Sequence, residues 1–169
     1  MNELTHHEEL SSLGIWLGHD QQKTWLHFDC AHNLMLQIRG KKTFLLASPS
    51  HYLDLYPYTF KTCKGQDMKG EIYRFSEVNA WKPQLDQYPR SGRVQFLEAP
   101  LERGDGLLLP MGWWHAVLSE GERASSCEDD ASSCCCCCGF NIALNAFWDA
   151  DESFWAKRNH LKSFRKTYK

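Results

Sequence analysis

Histidine and carboxylate side chains can hold a metal ion when folding brings them together, and this sequence offers such a set. His27 and Asp29 stand two apart in TWLHFDCAHNLMLQIRGKK. In a strand, residues i and i+2 share a face, so this pair would present an imidazole and a carboxylate side by side. His115, closing GDGLLLPMGWWH, is the third candidate. Two histidines and one carboxylate on one side of an ion suit non-haem Fe(II) and leave coordination positions open. A 2-oxo acid and dioxygen filling those positions would allow oxidative decarboxylation and attack on an unactivated C–H bond.

A 2-oxo dicarboxylate also needs a cation at its far end. Lys42 lies thirteen residues after Asp29 and follows the turn signal Arg39-Gly40-Lys41. With 34–38 and 43–47 as a hairpin, Lys42 returns toward the same barrel mouth while Lys41 faces away. Thr24, three residues before His27, and Asn33, six after it, are candidate neutral hydrogen-bond donors. Each piece alone is weak, since His-x-Asp pairs arise by chance. His6, His7, His19, His32, His51 and His160 read as ordinary surface or core residues, and Cys30 as packing. The joint occurrence of His-x-Asp, a lysine after a Gly turn and a distal histidine after two tryptophans carries the signal.

Short strands must position these groups. Apolar and aromatic runs bounded by turn residues place them at 13–18, 24–29, 34–38, 43–47, 94–98, 107–109, 113–118 and 140–147. About eight short strands point to an antiparallel barrel or sandwich. Residues 50–92, rich in Tyr, Pro, Lys and Asp, read as an irregular excursion with a helical turn near 51–55. Residues 1–12 read as a flexible N-terminus and 13–149 as the barrel. Within the barrel, 119–139 is a Ser/Cys-rich low-complexity insert interrupting the final hairpin. After Trp148, Phe154, Leu161, Phe164 and Tyr168 fall on one face at helical spacing. Lys157, Arg158, Lys162, Arg165, Lys166 and Lys169 occupy the others. The segment 150–169 is thus expected to be a basic C-terminal helix, first of all a solvated amphipathic helix covering the barrel, and otherwise a surface for a polyanion such as RNA or for a homodimer.

The 169 residues fit one domain, 43% of them hydrophobic and 13% aromatic. A net charge of −2 gives no bulk signal for a nucleic-acid or membrane partner. No apolar run approaches the ~18 residues of a membrane helix, and the N-terminus lacks a signal-peptide pattern. The expectation is a cytoplasmic or nuclear protein with reduced thiols. Five of the eight cysteines are consecutive, at 134–138, which is no disulfide framework.

With those residues in place, the chain resembles the JmjC-type (cupin-8-like) Fe(II)- and 2-oxoglutarate-dependent oxygenases. The resemblance is carried by WLHFDCAHNLMLQIRGKKTFLLASP, SEVNAWKPQLDQYP, GDGLLLPMGWWH and NIALNAFW, in the family's order. It implies an all-β core, a double-stranded β-helix (jelly-roll, cupin) barrel, with iron held by His27, Asp29 and His115. It implies that Lys42 and Thr24 hold the distal carboxylate of 2-oxoglutarate, that Asn33 lies near its oxo-acid end, and that Asn145 faces the same pocket. Within the family, Trp25, His27–Asp29, Asn33-Leu34, Gln37–Lys42 and Asn145-x-Phe147-Trp148 are most similar to the tRNA wybutosine hydroxylases. That implies a modified tRNA base as substrate, beside 2-oxoglutarate and O2. Residues 78–89 are similar to the arginyl-hydroxylase branch, and Trp16 stands where that branch has a substrate-lining Trp. A protein side-chain hydroxylase (Arg/Lys) or histone demethylase is therefore the alternative, with a non-catalytic cupin-like module as a third reading. The family's N-terminal tyrosine toward 2-oxoglutarate has no counterpart here, so the chain is expected to be either a minimal barrel or part of a longer protein.

Overall fold

The computed structural model describes residues 10–62, 73–122 and 139–148. These form eleven strands. β1 is Leu10–His19, β2 Gln22–Lys23, β3 His27–Phe28, β4 His32–Arg39, β5 Lys41–Ala47 and β6 Pro57–Thr62. β7 is Tyr73–Ser76, β8 Leu97–Leu101, β9 Gly106–Leu109, β10 Trp114–Glu120 and β11 Phe140–Trp148. Three 3-10 turns, Pro49–His51, Leu53–Leu55 and Pro89–Arg93, are the helical structure among the described residues. The expected helix at 150–169, with its basic residues and any homodimer surface, lies outside them, as does the cysteine run.

Two antiparallel sheets make a jelly-roll sandwich. One has strand order β1-β11-β4-β9; the other runs β6-β7-β3-β10-β5-β8, with β2 also on β10. Side-chain alternation sorts each strand between two faces. On β4, Asn33, Met35 and Gln37 are buried, while Leu36 and Ile38 are exposed. On β11 the buried set is Asn141, Ala143 and Asn145. Of these inward residues, Met35 and Ala143 form a core with Phe44 and Leu46 of β5, Val117 of β10, Leu101 and Leu109. Each buried Leu or Phe contributes about 1.5–3 kcal/mol relative to exposure.

The outer face of the larger sheet buries a second cluster. Phe28, Ala47, Trp114 and Ala116 pack there beneath Tyr52, Leu55, Val78 and Ala80 of the 50–92 excursion. That excursion is more ordered than its composition suggests, since β6 and β7 pair within it. Segment 94–98, expected as a strand, gives way to β8 further along.

Two expected hairpins differ. β4 does not pair with β5: β4 lies between β11 and β9, and β5 between β10 and β8. Gly40 makes the crossing between sheets at φ 73, where an added Cβ would collide with Glu120 O and press on Asn141 Nδ2. Only glycine fits both the left-handed backbone and that close approach. Likewise β10 and β11 belong to different sheets, joined by one bridge, Glu122 to Phe140. Ser119 and Glu120, read above as the start of the insert, are the last two residues of β10.

Candidate metal and cosubstrate site

β3 and β10 run side by side with His27 directly opposite His115. Paired residues of an antiparallel ladder share a face, so both imidazoles point into the sandwich, with ring centroids 4.3 Å apart. Asp29 follows β3. Its carbonyl accepts from the Gly112 N–H at 3.0 Å, tying it to the β9–β10 turn. The same turn is held from a second side, where the Met111 N–H donates to His32 Nδ1 at 3.1 Å. Gly112 adopts φ 81 there, a left-handed conformation that favours glycine. His32, expected to be an ordinary core or surface histidine, thus anchors the turn that delivers His115.

The two histidines are oriented by the same device. His27 Nδ1 lies 2.7 Å from the Trp25 carbonyl, and His115 Nδ1 lies 3.0 Å from the Trp113 carbonyl. A carbonyl only accepts, so each Nδ1 carries the proton and each Nε2 is left with its lone pair. Those lone-pair nitrogens face Asp29. His27 Nε2 is 4.0 Å from Oδ1, and His115 Nε2 is 3.8 Å from Oδ2. These are not hydrogen bonds. Atoms each about 2.1 Å from a shared ion can lie up to about 4.2 Å apart, and both separations fall inside that limit. His27, Asp29 and His115 each offer one ligand atom, all within 4.8 Å of one another.

The electrostatics suit a cation. Burial, and next the neighbouring His115, lower the His27 pKa from 6.5 to about 4. The ring is therefore neutral near pH 7, as a metal ligand must be. Phe75, opposite His27 on β7, stacks on its ring at 5.4 Å and 15°.

Lys42 lies deeper. It projects inward from β5, 7% exposed, opposite Ser119 of β10. Its Nζ donates to Ser119 Oγ at 2.6 Å, and burial lowers its pKa from 10.5 to about 8. Lys41 is only partly buried and sits opposite Glu120. Thr24 reaches the same region through Val117: its N–H donates to the Val117 carbonyl at 2.8 Å, and its Oγ1 accepts from the Val117 N–H at 2.9 Å.

Asn33 and Asn145 meet across β4 and β11. Asn145 Nδ2 donates to Asn33 Oδ1 at 2.8 Å, both side chains being buried. Trp16 sits opposite Ala143 on the edge strand β1, two residues from Gly14, which faces Asn145. It is 53% exposed, on the inward-facing side of that sheet.

Ser119, Phe75 and His32 were not singled out by sequence. Ser119 was hidden by the insert boundary, although it falls on the period-two series from His115. A repeated Trp-x-His, at Trp25 to His27 and Trp113 to His115, marks the two carbonyl-oriented histidines. Cys30, expected to be a reduced packing residue, is instead disulfide-bonded. Every other cysteine lies outside the described residues. Such a pairing depends on chain proximity that cysteine spacing does not encode.

The cupin-like domain family matches residues 2–154. The lysine-specific demethylase JMJ31 of Arabidopsis thaliana is 32% identical over 115 residues, 67% of this chain and 20% of that protein. Jumonji C domain-containing protein 5 of Drosophila melanogaster is 31% identical over 105 residues, covering 62% and 24%. The human tRNA wybutosine-synthesizing protein 5 is 32% identical over 124 residues, covering 73% and 30%. The chain thus spans between a fifth and a third of the length of these relatives. No helix among the described residues is long and apolar enough to cross a membrane.

Proposed function

The chain belongs to the cupin-like domain family, and from that premise we propose that it is an Fe(II)- and 2-oxoglutarate-dependent dioxygenase. One observation carries the reading: two imidazoles, each turned by a carbonyl two residues back, present Nε2 to opposite oxygens of one carboxylate. Two histidines and one carboxylate are the donor set of non-haem iron oxygenases. His27, Asp29 and His115 would hold the ion. Bound Fe(II), with 2-oxoglutarate and O2, supplies the oxidising power for C–H hydroxylation.

The chain's residues do the positioning. The Trp25 and Trp113 carbonyls keep each Nδ1 protonated and each ring fixed. Lys42 holds an ammonium inside the sandwich for the distal carboxylate of 2-oxoglutarate, with Thr24 at its side. Asn33 and Asn145 form one amide pair near the oxo-acid end. Phe75 shields one face of His27 from water. Fe(II)-dependent conversion of 2-oxoglutarate to succinate and CO2 tests the reading, with His27→Ala as control. A succinate yield unaffected by chelation or by His27→Ala overturns it.

For the oxidised substrate we favour a modified tRNA base of the wybutosine type. The similarity to tRNA wybutosine-synthesizing protein 5 supports this, since it extends over 73% of the chain. So does Trp16, an exposed indole on the inward side of β1, because unpaired bases stack on such platforms for about 1–3 kcal/mol each. A salt-dependent tRNA complex weakened by Trp16→Ala is expected; turnover on peptides with no tRNA binding excludes it. The second reading is a protein side-chain hydroxylase or demethylase, favoured by the similarity to the lysine-specific demethylase JMJ31. We also assign the barrel to 13–149, with a cytoplasmic or nuclear location.

A further inference from the structure

Along the inner wall of the larger sheet, β10 presents His115, Val117 and Ser119 opposite Leu46, Phe44 and Lys42 of β5. The metal ligand stands at one end of this column and the lysine at the other, separated by two apolar residues. Ser119 is 4% exposed, and its Oγ receives the Lys42 ammonium. Among the described residues no carboxylate lies within ion-pair distance of Lys42. An ammonium carries three N–H donors, so two are left for a ligand, and a buried cation without a counter-ion is costly.

The hydroxyls bonded to Lys42 and to the β10 backbone point to the ligand's chemistry. Ser119 Oγ accepts from Nζ and keeps its own O–H to donate. Thr24 Oγ1 accepts from the Val117 N–H and keeps its proton in the same way. Phe44 and Val117, 1% and 5% exposed, bring no side-chain polar atom to the column. The cluster is therefore rich in donors with no anion of its own, which suits a carboxylate: two oxygens able to accept from several donors at once.

We infer that Ser119 is a cosubstrate-positioning residue: its hydroxyl holds the Lys42 ammonium against the inner wall and donates its own proton to the carboxylate that Lys42 binds. This rests on the reading of Lys42 as the 2-oxoglutarate anchor. The inference is that a lysine alone is a swivelling point charge, and that Ser119 makes it directional.

The test is calorimetric titration of 2-oxoglutarate into the full 169-residue chain, metal-free and loaded with Mn(II), for wild type, Ser119→Ala, Ser119→Thr and Lys42→Met. A hydrogen bond to a charged group is worth enough to shift affinity about tenfold or more. Ser119→Ala is expected to raise Kd about tenfold with unchanged melting temperature and Mn(II) affinity. Ser119→Thr, which keeps the hydroxyl, should stay within about threefold of wild type. In turnover, Ser119→Ala should raise KM for 2-oxoglutarate and spare kcat at saturation. Should Ser119→Ala fail to fold, Ser119→Cys takes its place with the same expected loss. If wild type and Ser119→Ala bind equally while Lys42→Met does not bind, the role of Ser119 is wrong and the anchor reading stands. A loss in Ser119→Ala that Ser119→Thr does not restore also overturns it, as a strand-clasp role. If wild type does not bind 2-oxoglutarate, or Lys42→Met binds as wild type does, the anchor reading falls and the inference with it.

Discussion

His27 and His115 are cross-strand partners, and each is oriented by the carbonyl two residues before it. The shared device fixes both imidazoles in the same tautomer without any further carboxylate. The site is nevertheless sensitive to acid, because burial and the second histidine both disfavour a charged His27 and outweigh Asp29 and the Trp25 carbonyl, which favour it.

The stability of the metal-free chain should record that cost. The folded pKa of His27 lies at about 4, below the unfolded 6.5, so between them the unfolded chain binds more protons. The stabilisation is complete above pH 6.5 and is lost as pH falls through 4, at up to about 1.4 kcal/mol per pH unit. Denaturant melts from pH 7 to pH 4 check this. His27→Gln should show a slope smaller by about one proton in that window; an equal slope contradicts the assignment.

Lys42 acts at the other end of the pH scale. Its folded pKa is lowered to about 8, and a bound carboxylate favours the charged form. The affinity for 2-oxoglutarate should be flat below pH 8 and weaken above it, by up to about tenfold per pH unit, with proton uptake on binding. Titration at pH 7, 8.5 and 9.5 in buffers of different ionisation enthalpy reads both. In the free protein the sign is opposite: stability rises from pH 8 toward 10.5 as the buried ammonium is neutralised.

Trp114 underlies the site from outside. Its side chain is fully buried and packs edge-on to Phe28 at 4.9 Å and against Tyr52 at 5.9 Å. Trp114→Ala should cost about 3–5 kcal/mol, read as a lower guanidinium midpoint. The indole N–H has no hydrogen-bond partner, so Trp114→Phe should cost less. Because Trp114 precedes His115 in β10, Trp114→Ala should also weaken metal affinity.

The legible parts were those set by period and by residue chemistry. Alternation placed His27 with Asp29 and turned Lys42 inward, and Gly40 was recognised as a turn. Strand pairing was not legible. A hairpin and a crossover between sheets share the same Gly signal, and the close approach of Glu120 to Gly40 comes from a distant strand. Ser119 was obscured because local composition, Ser-Glu-Gly-Glu, looks like loop. Its place in β10 is set by the backbone ladder with β5, where it stands opposite Lys42. His32 was missed for a similar reason, since its partner is the Met111 backbone, 79 residues away.

The central claim is that His27, Asp29 and His115 form one iron site serving 2-oxoglutarate oxidation. The most direct measurement is succinate released from 2-oxoglutarate by the full chain with Fe(II), for wild type and Asp29→Ala. Loss of an outer hydrogen-bond partner already costs metal sites about 10–100-fold. Loss of the ligand should therefore lower succinate formation by about 100-fold or more, with the fold intact. Equal succinate formation by Asp29→Ala, or none by wild type under any Fe(II) concentration, would contradict the account.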